Sequence, residues 1–128
     1  MLANKAVAAT IAVKNLQEAR SFYKDILGLA VVAEEGEELV AFKSGGSTLL
    51  VYRSKFAGTN KATAATWMVG GDVDEIVRTL KSKGVSFLHY DMPGMTREGD
   101  VHVGGGMRVA WFTDPEGNIL NIASASGA

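Results

Sequence analysis

The sequence predicts an α+β domain built from two βαβββ halves. Three observations carry that expectation. Short apolar stretches alternate with glycine-rich turns, which suits many short strands. Each of two helical stripes follows a strand-like stretch and carries its own start signal. The two halves also keep one order at one offset: Asn15 and Asp72 stand 57 positions apart, and so do Ala8 and Ala65 in the leading strands.

The totals agree with a single globular domain. A chain of 128 residues with 47% hydrophobic content can bury a real core. The net charge is -1 and the 13 basic residues are scattered, so no basic stripe marks a nucleic-acid surface. The absence of cysteine excludes disulfides, thiolate metal sites and a cysteine nucleophile, and it accords with a reducing compartment. Met1–Lys5 runs into a strand without a long apolar stretch, so no signal peptide is expected. No apolar run approaches the roughly 18 residues of a membrane span. The expected location is cytoplasmic, with no nucleic-acid or membrane partner.

In the first half, Val7, Ala9, Ile11 and Val13 alternate with Ala8, Thr10 and Ala12, the period of a strand with one buried face. Asn15 is a helix cap, and Glu18 completes a capping box. Leu16, Ala19, Phe22 or Tyr23, Ile26 and Leu27 form the helical stripe, and Gly28 closes it. Strands are expected at Leu29–Ala33, Leu39–Lys43 and Thr48–Arg53. Charged and glycine-rich turns separate them.

The second half opens with a strand at Thr63–Val69. Asp72 and Glu75 supply the helix start, and Val73, Ile76, Val77 and Leu80 the stripe, with Gly84 at its end. Val85–Tyr90, Met107–Thr113 and Asn118–Ala123 read as strands, and Asp114-Pro115-Glu116-Gly117 as a type I turn. The modules span about residues 5–57 and 61–124, joined near Gly58–Lys61.

Val13-Lys14-Asn15-Leu16, Ala19, Phe22-Tyr23-Lys24-Asp25 and Leu27-Gly28-Leu29, with the closing Ala110-Trp111-Phe112-Thr113-Asp114-Pro115-Glu116-Gly117-Asn118, resemble the vicinal oxygen chelate superfamily. That superfamily includes glyoxalase I, bleomycin-resistance proteins, fosfomycin-resistance enzymes and extradiol dioxygenases. The resemblance runs from about Val7 to Ala123. It implies a cupped mixed sheet around a cavity, commonly in a homodimer.

The metal-dependent members place four ligands in the cup, two from each half. By resemblance those positions fall at Ala8, at Leu50 or Val51, at Ala65 and at Asn121. Alkyl side chains have no lone pairs, and one neutral amide oxygen is a weak ligand. No metal and no cofactor are therefore expected. Glyoxalase I activity, fosfomycin opening and extradiol cleavage, which use the metal, are disfavoured.

Acid–base chemistry at neutral pH has two histidines to draw on, His89 and His102. Glu98, Asp100 and His102 are the catalytic candidates, since Asp100 and His102 share a face in extended chain. The plainer reading of that segment is a solvated polar loop before the Gly104-Gly105-Gly106 turn. Gly104-Gly105-Gly106 has no following Lys-Ser/Thr, so it is not a phosphate loop. No serine sits in a nucleophile elbow.

The ligand-binding candidates are Thr10, Tyr52, Trp67, Arg108, Trp111 and Asn121. By the parity of Ala65, Thr63 and Trp67 face the cup. Aromatic walls with a few polar handles suit a planar or amphipathic small molecule. Core packing is the plainer use of both tryptophans. Phe42, Tyr52 and Tyr90 end strands near possible pocket rims, and the irregular stretch His89–Arg97 is a lid or a packing surface. The expected function is metal-free binding in the manner of the bleomycin-resistance branch. The alternatives are an enzyme with a displaced metal or acid–base site, and a structural or regulatory dimer.

Overall fold

A computed structural model describes residues 1–125. The chain forms two compact units, residues 1–60 and the described residues from Lys61 on.

In the first unit the order is β1 (Ala9–Val13), α1 (Leu16–Ser21) continued by a π-helical segment (Phe22–Ile26), β2 (Ala30–Glu35), β3 (Leu39–Ser44) and β4 (Ser47–Arg53). The strands lie in the order β1-β4-β3-β2, with β1 parallel to β4 and the other pairs antiparallel. The parallel pair is what a helix between two strands permits, and the hairpins follow from a three-residue turn at Gly36-Glu37-Glu38 and a two-residue turn at Gly45-Gly46. Gly45 takes φ +56° as the first turn residue, which a type II′ hairpin demands. The cap is as expected: Asn15 Oδ1 accepts from the Glu18 N–H at 3.0 Å.

Helix and sheet meet over Ile11, Val13, Val40, Phe42, Leu49 and Val51, all buried. Tyr23 packs on Phe42 with ring centroids 5.8 Å apart. Phe42 is therefore core rather than rim. Val51 belongs to this face too, which leaves Leu50, paired with Thr10, on the helix-free face. A bulge at Val32 bends β2, and this outer strand ends on Glu34 and Glu35.

The second unit runs β5 (Thr63–Met68), a 3-10 turn (Gly70–Asp72), α2 (Val73–Ser82), β6 (Phe87–Leu88), β7 (Thr96–Glu98), β8 (Val101–Gly104), β9 (Met107–Thr113) and β10 (Ile119–Ala123). Its sheet order is β5-β10-β9-β8-β7, with β5 parallel to β10. Two strands, β7 and β8, were not expected. Their register explains them. Leu88 pairs with Trp111, and His102 with Val109, on the same edge of β9. So β6 and β8 behave as one interrupted strand, and residues 89–100 are an excursion from it that folds back as β7. The strand–helix–three-strand plan survives around this excursion.

Asp72 precedes α2 as expected but makes no capping bond with its side chain, because the 3-10 turn gives it a near-helical backbone (φ -93°, ψ 7°). At the other end, Val85 N–H bonds to Leu80 O and Gly84 N–H to Lys81 O, a Schellman closure. Val73, Val77 and Leu80 form the buried stripe. The Asp114 turn is also as expected, with Gly117 N–H bonded to Asp114 O at 3.0 Å.

Candidate functional site

The two faces of the second sheet carry different chemistry. Arg108 Nη2 donates to Asp74 Oδ1 of α2 at 2.8 Å, which marks the face of Arg108, Ala110 and Phe112 as the helix-bearing one. Trp111, one residue out of phase, points to the other face. Asn121 is its direct cross-strand partner, and Thr63 shares the face through Ile119. The Trp111 indole N–H donates to Thr63 Oγ1 at 3.2 Å.

Trp67 is the exception to the parity argument. Ile119 pairs with Thr63 while Leu120 pairs with Ala65, so Ala64 is an extra residue in β5. Such a bulge breaks the period of two. Trp67 pairs with Ile122 and stacks on Phe112 at 6.5 Å, on the helix-bearing side. Trp67 and Arg108 are thus on the opposite face from Trp111 and Asn121.

His102 lies on the helix-free face and is 1% exposed, not in a solvated loop. Its ring meets the Trp111 ring edge-on at 4.9 Å, and Tyr90 also meets Trp111 edge-on at 5.1 Å. His102 Nε2 accepts the Tyr90 backbone N–H at 2.9 Å. A neutral ring then carries its proton on Nδ1, which is buried without a partner among the described residues. Asn121 Oδ1 is buried and unpartnered in the same sense. Two unmet polar atoms therefore flank a partly exposed indole.

The expected grouping of Glu98, Asp100 and His102 does not form. Asp100 occupies the tight turn between β7 and β8, so it is not in extended chain with His102. It turns toward α2, where its oxygens meet Lys81 Nζ at 2.8 Å and His89 Nε2 at 2.7 Å. The Lys81 bond, then the His89 bond, hold its carboxyl below the usual range, and burial opposes them. Glu98 reaches Arg108 instead, at 3.6 Å. The Asp74 bond above all, and Glu98 less, hold the Arg108 guanidinium above its ordinary value, and burial opposes them. Sequence reasoning missed Lys81 and Arg97 in this network. Only the fold brings them to Asp100 and His89, so no local pattern points to them.

In the first unit Thr10 and Tyr52 share the helix-free face with Leu50, both exposed. A cleft of about 590 Å³ opens elsewhere, beside the start of α1, among Lys14, Arg20, Arg53, Glu34 and Glu37. None of the expected ligand residues lines it.

A divalent metal of the kind used by relatives does not fit these side chains. Ala8, Leu50, Val51 and Ala65 offer no donor, and the bulge brings Thr66, opposite Asn121, to that face in place of Ala65, which adds only a neutral hydroxyl. No three His, Asp or Glu side chains converge among the described residues.

The duplicated strand–helix–sheet plan, with these closing turns, defines a class, and the match is direct. The chain belongs to the Glyoxalase/Bleomycin resistance protein/Dioxygenase superfamily, whose description matches residues 5–122. Among solved structures it is similar to an integron cassette protein from the mobile metagenome of the Halifax Harbour sewage outfall. That pair shares 20% identity and a TM-score of 0.71 over 94% of this chain and 98% of the other. A lactoylglutathione lyase from Agrobacterium tumefaciens shares 19% identity, with a TM-score of 0.69 over 94% and 92%. The fosfomycin resistance protein FosX from Listeria monocytogenes shares 17%, with a TM-score of 0.70 over 100% and 95%. At these identities the likeness is one of fold. No curated protein sequence matches the chain. No helix among the described residues is long and apolar enough to cross a membrane.

Proposed function

We propose that this protein is a metal-free, small-molecule-binding member of its superfamily that works as bleomycin-resistance proteins do. It holds an aromatic or amphipathic compound rather than transforming it. A cytoplasmic homodimer is part of the same reading.

One observation carries it: the partly exposed indole of Trp111, with a buried, unpartnered Asn121 oxygen beside it on the helix-free face. An aromatic surface supplies area, and an unmet acceptor supplies orientation. A buried polar atom left unmet costs about 1–3 kcal/mol, so a ligand donor has something to gain there. Thr10 and Tyr52 offer a similar, lesser surface in the first unit. The relatives named for lyase and fosfomycin-resistance activity leave catalysis open to the superfamily, but the alanines at the expected ligand positions count against it here.

The test is a thermal-shift and tryptophan-quenching screen of planar amphipathic compounds against wild type and Trp111→Ala. At a hundredfold excess over Kd a bound compound stabilises by about 2.7 kcal/mol, and Trp111→Ala should abolish the shift. A screen without a single binder would defeat the proposal. A stoichiometric divalent ion in untagged protein would favour the enzymatic alternative.

A further inference from the structure

The excursion at residues 89–100 leaves the sheet at His89 and returns through Arg97. These two side chains meet: Arg97 Nη1 lies 2.9 Å from His89 Nδ1. A guanidinium only donates, so Nδ1 accepts, and the ring proton sits on Nε2, which donates to Asp100 Oδ1 at 2.7 Å. Both bonds together require the neutral ring.

We propose that His89 is a pH-operated clasp at the neck of this loop, and that protonation at Nδ1 releases Arg97 and loosens the loop beside Trp111. A second N–H at Nδ1 would face the Arg97 donor directly, cation against cation. The bond to Asp100 survives, because it uses the other nitrogen. Arg97 keeps its second acceptor, Gly99 O at 3.1 Å, so it has somewhere to go. The clasp, not the whole hairpin, is what opens.

The surrounding charges are consistent. From α2, Lys81 holds the other oxygen of Asp100. Asp100 comes from the β7–β8 turn and Arg97 from β7. From β8, the His102 ring lies 6.4 Å away with Nε2 occupied by Tyr90 N–H. Tyr90 and Asp91 follow His89 on its own segment. Asp100 keeps the protonated ring in place while Arg97 is repelled, and that asymmetry makes the neck the weak point.

The opening reaches the candidate ligand face through Tyr90. It follows His89 directly, and its ring stands edge-on to Trp111. The loop tip is otherwise seated on β8, where a Cβ on Gly104 would overlap the Gly94 carbonyl oxygen. Losing the neck bond leaves the loop between that seat, the Tyr90 N–H bond to His102 and its ring contact on one side, and the β7–β8 pairing on the other. The effect on ligand binding rests on the function proposed above, whereas the clasp does not.

Amide exchange of residues 90–95 in the full chain, corrected for intrinsic rates, at about pH 5 and about pH 8 tests it across the imidazole range. Wild-type protection should fall roughly tenfold on acidification, the order expected for one lost hydrogen bond to a charged group. His89→Gln can accept from Arg97 and donate to Asp100 at every pH, so it should stay closed at both. His89→Phe has no acceptor and should be open at both. His102→Gln should keep the wild-type pH response. Imidazole nitrogen shifts should show His89 Nδ1 unprotonated at about pH 8. Protection independent of pH in wild type, or a response unchanged in His89→Gln, would overturn the clasp. If the exchange pattern holds while no compound binds in the Trp111 screen, the clasp stands and the binding proposal falls.

Discussion

Asp114 is buried, and three donors converge on its carboxylate: the Glu116 and Asn118 backbone N–H groups at 2.9 Å each and the Asn118 side-chain amide at 2.8 Å. Asp114→Ala strands these donors and should cost about 2–4 kcal/mol in urea unfolding, since bonds to charged acceptors are the strong ones. An unchanged midpoint would contradict this. Asp100 makes a second prediction, through pH. Its pKa is lowered, so its stabilisation is complete above the unfolded value of about 3.9 and fades as pH falls through the lower folded value. Wild type should therefore lose more stability than Asp100→Asn between about pH 5 and about pH 2.5. Parallel losses would refute the assignment. Local residues such as Asn15 and Asp114 were legible because their partners are a few positions away. His102 was not: its burial depends on Trp111 and Tyr90, which arrive from other strands.

Among the elements, the Gly45-Gly46 hairpin was the most legible, while at Gly105-Gly106 only the turn was, since β8 before it was not expected. Gly45-Gly46 and Gly105-Gly106 lie between apolar strands, and both Gly105 and Gly106 take the positive φ of a type I′ turn. β7 was hidden because Thr96-Arg97-Glu98 is short, charged and exposed, with no apolar alternation to read. The bulge at Ala64 was invisible for a similar reason: a run of small residues tolerates an extra residue without marking it, and every later side chain then changes face. Gly104 gives an element-scale prediction. Gly104→Ala drives a methyl into the Gly94 carbonyl and should lift the 91–95 turn from β8. The expected result is a loss of about 1–3 kcal/mol and faster amide exchange confined to that turn. Normal exchange there would mean that the seat is not needed.

For the molecule as a whole, the two-unit plan and the superfamily were legible because they rest on many weak signals repeated at one spacing. The site was legible only in part, since a face is a property of register. Thr10, Tyr52, Trp111 and Asn121 lie on helix-free faces, while Trp67 and Arg108 do not. Thermal unfolding provides the whole-molecule prediction. Adding about 1 mM EDTA or a divalent salt should move the wild-type midpoint by less than about 1 °C, because a resident ion stabilises by mass action. A large shift with either would point to a metal site that the alanines do not suggest.

The bulge at Ala64 has an optical consequence. It turns the chain's two tryptophans to opposite sides of one sheet, Trp67 against Phe112 and Trp111 against His102. An imidazolium quenches a neighbouring indole by accepting an electron from its excited state, whereas a phenyl ring does not. The emission of Trp67→Phe should thus report acid-driven events around the histidines, and that of Trp111→Phe the packing beneath α2. Two single substitutions would give this protein a separate lamp for each of its faces.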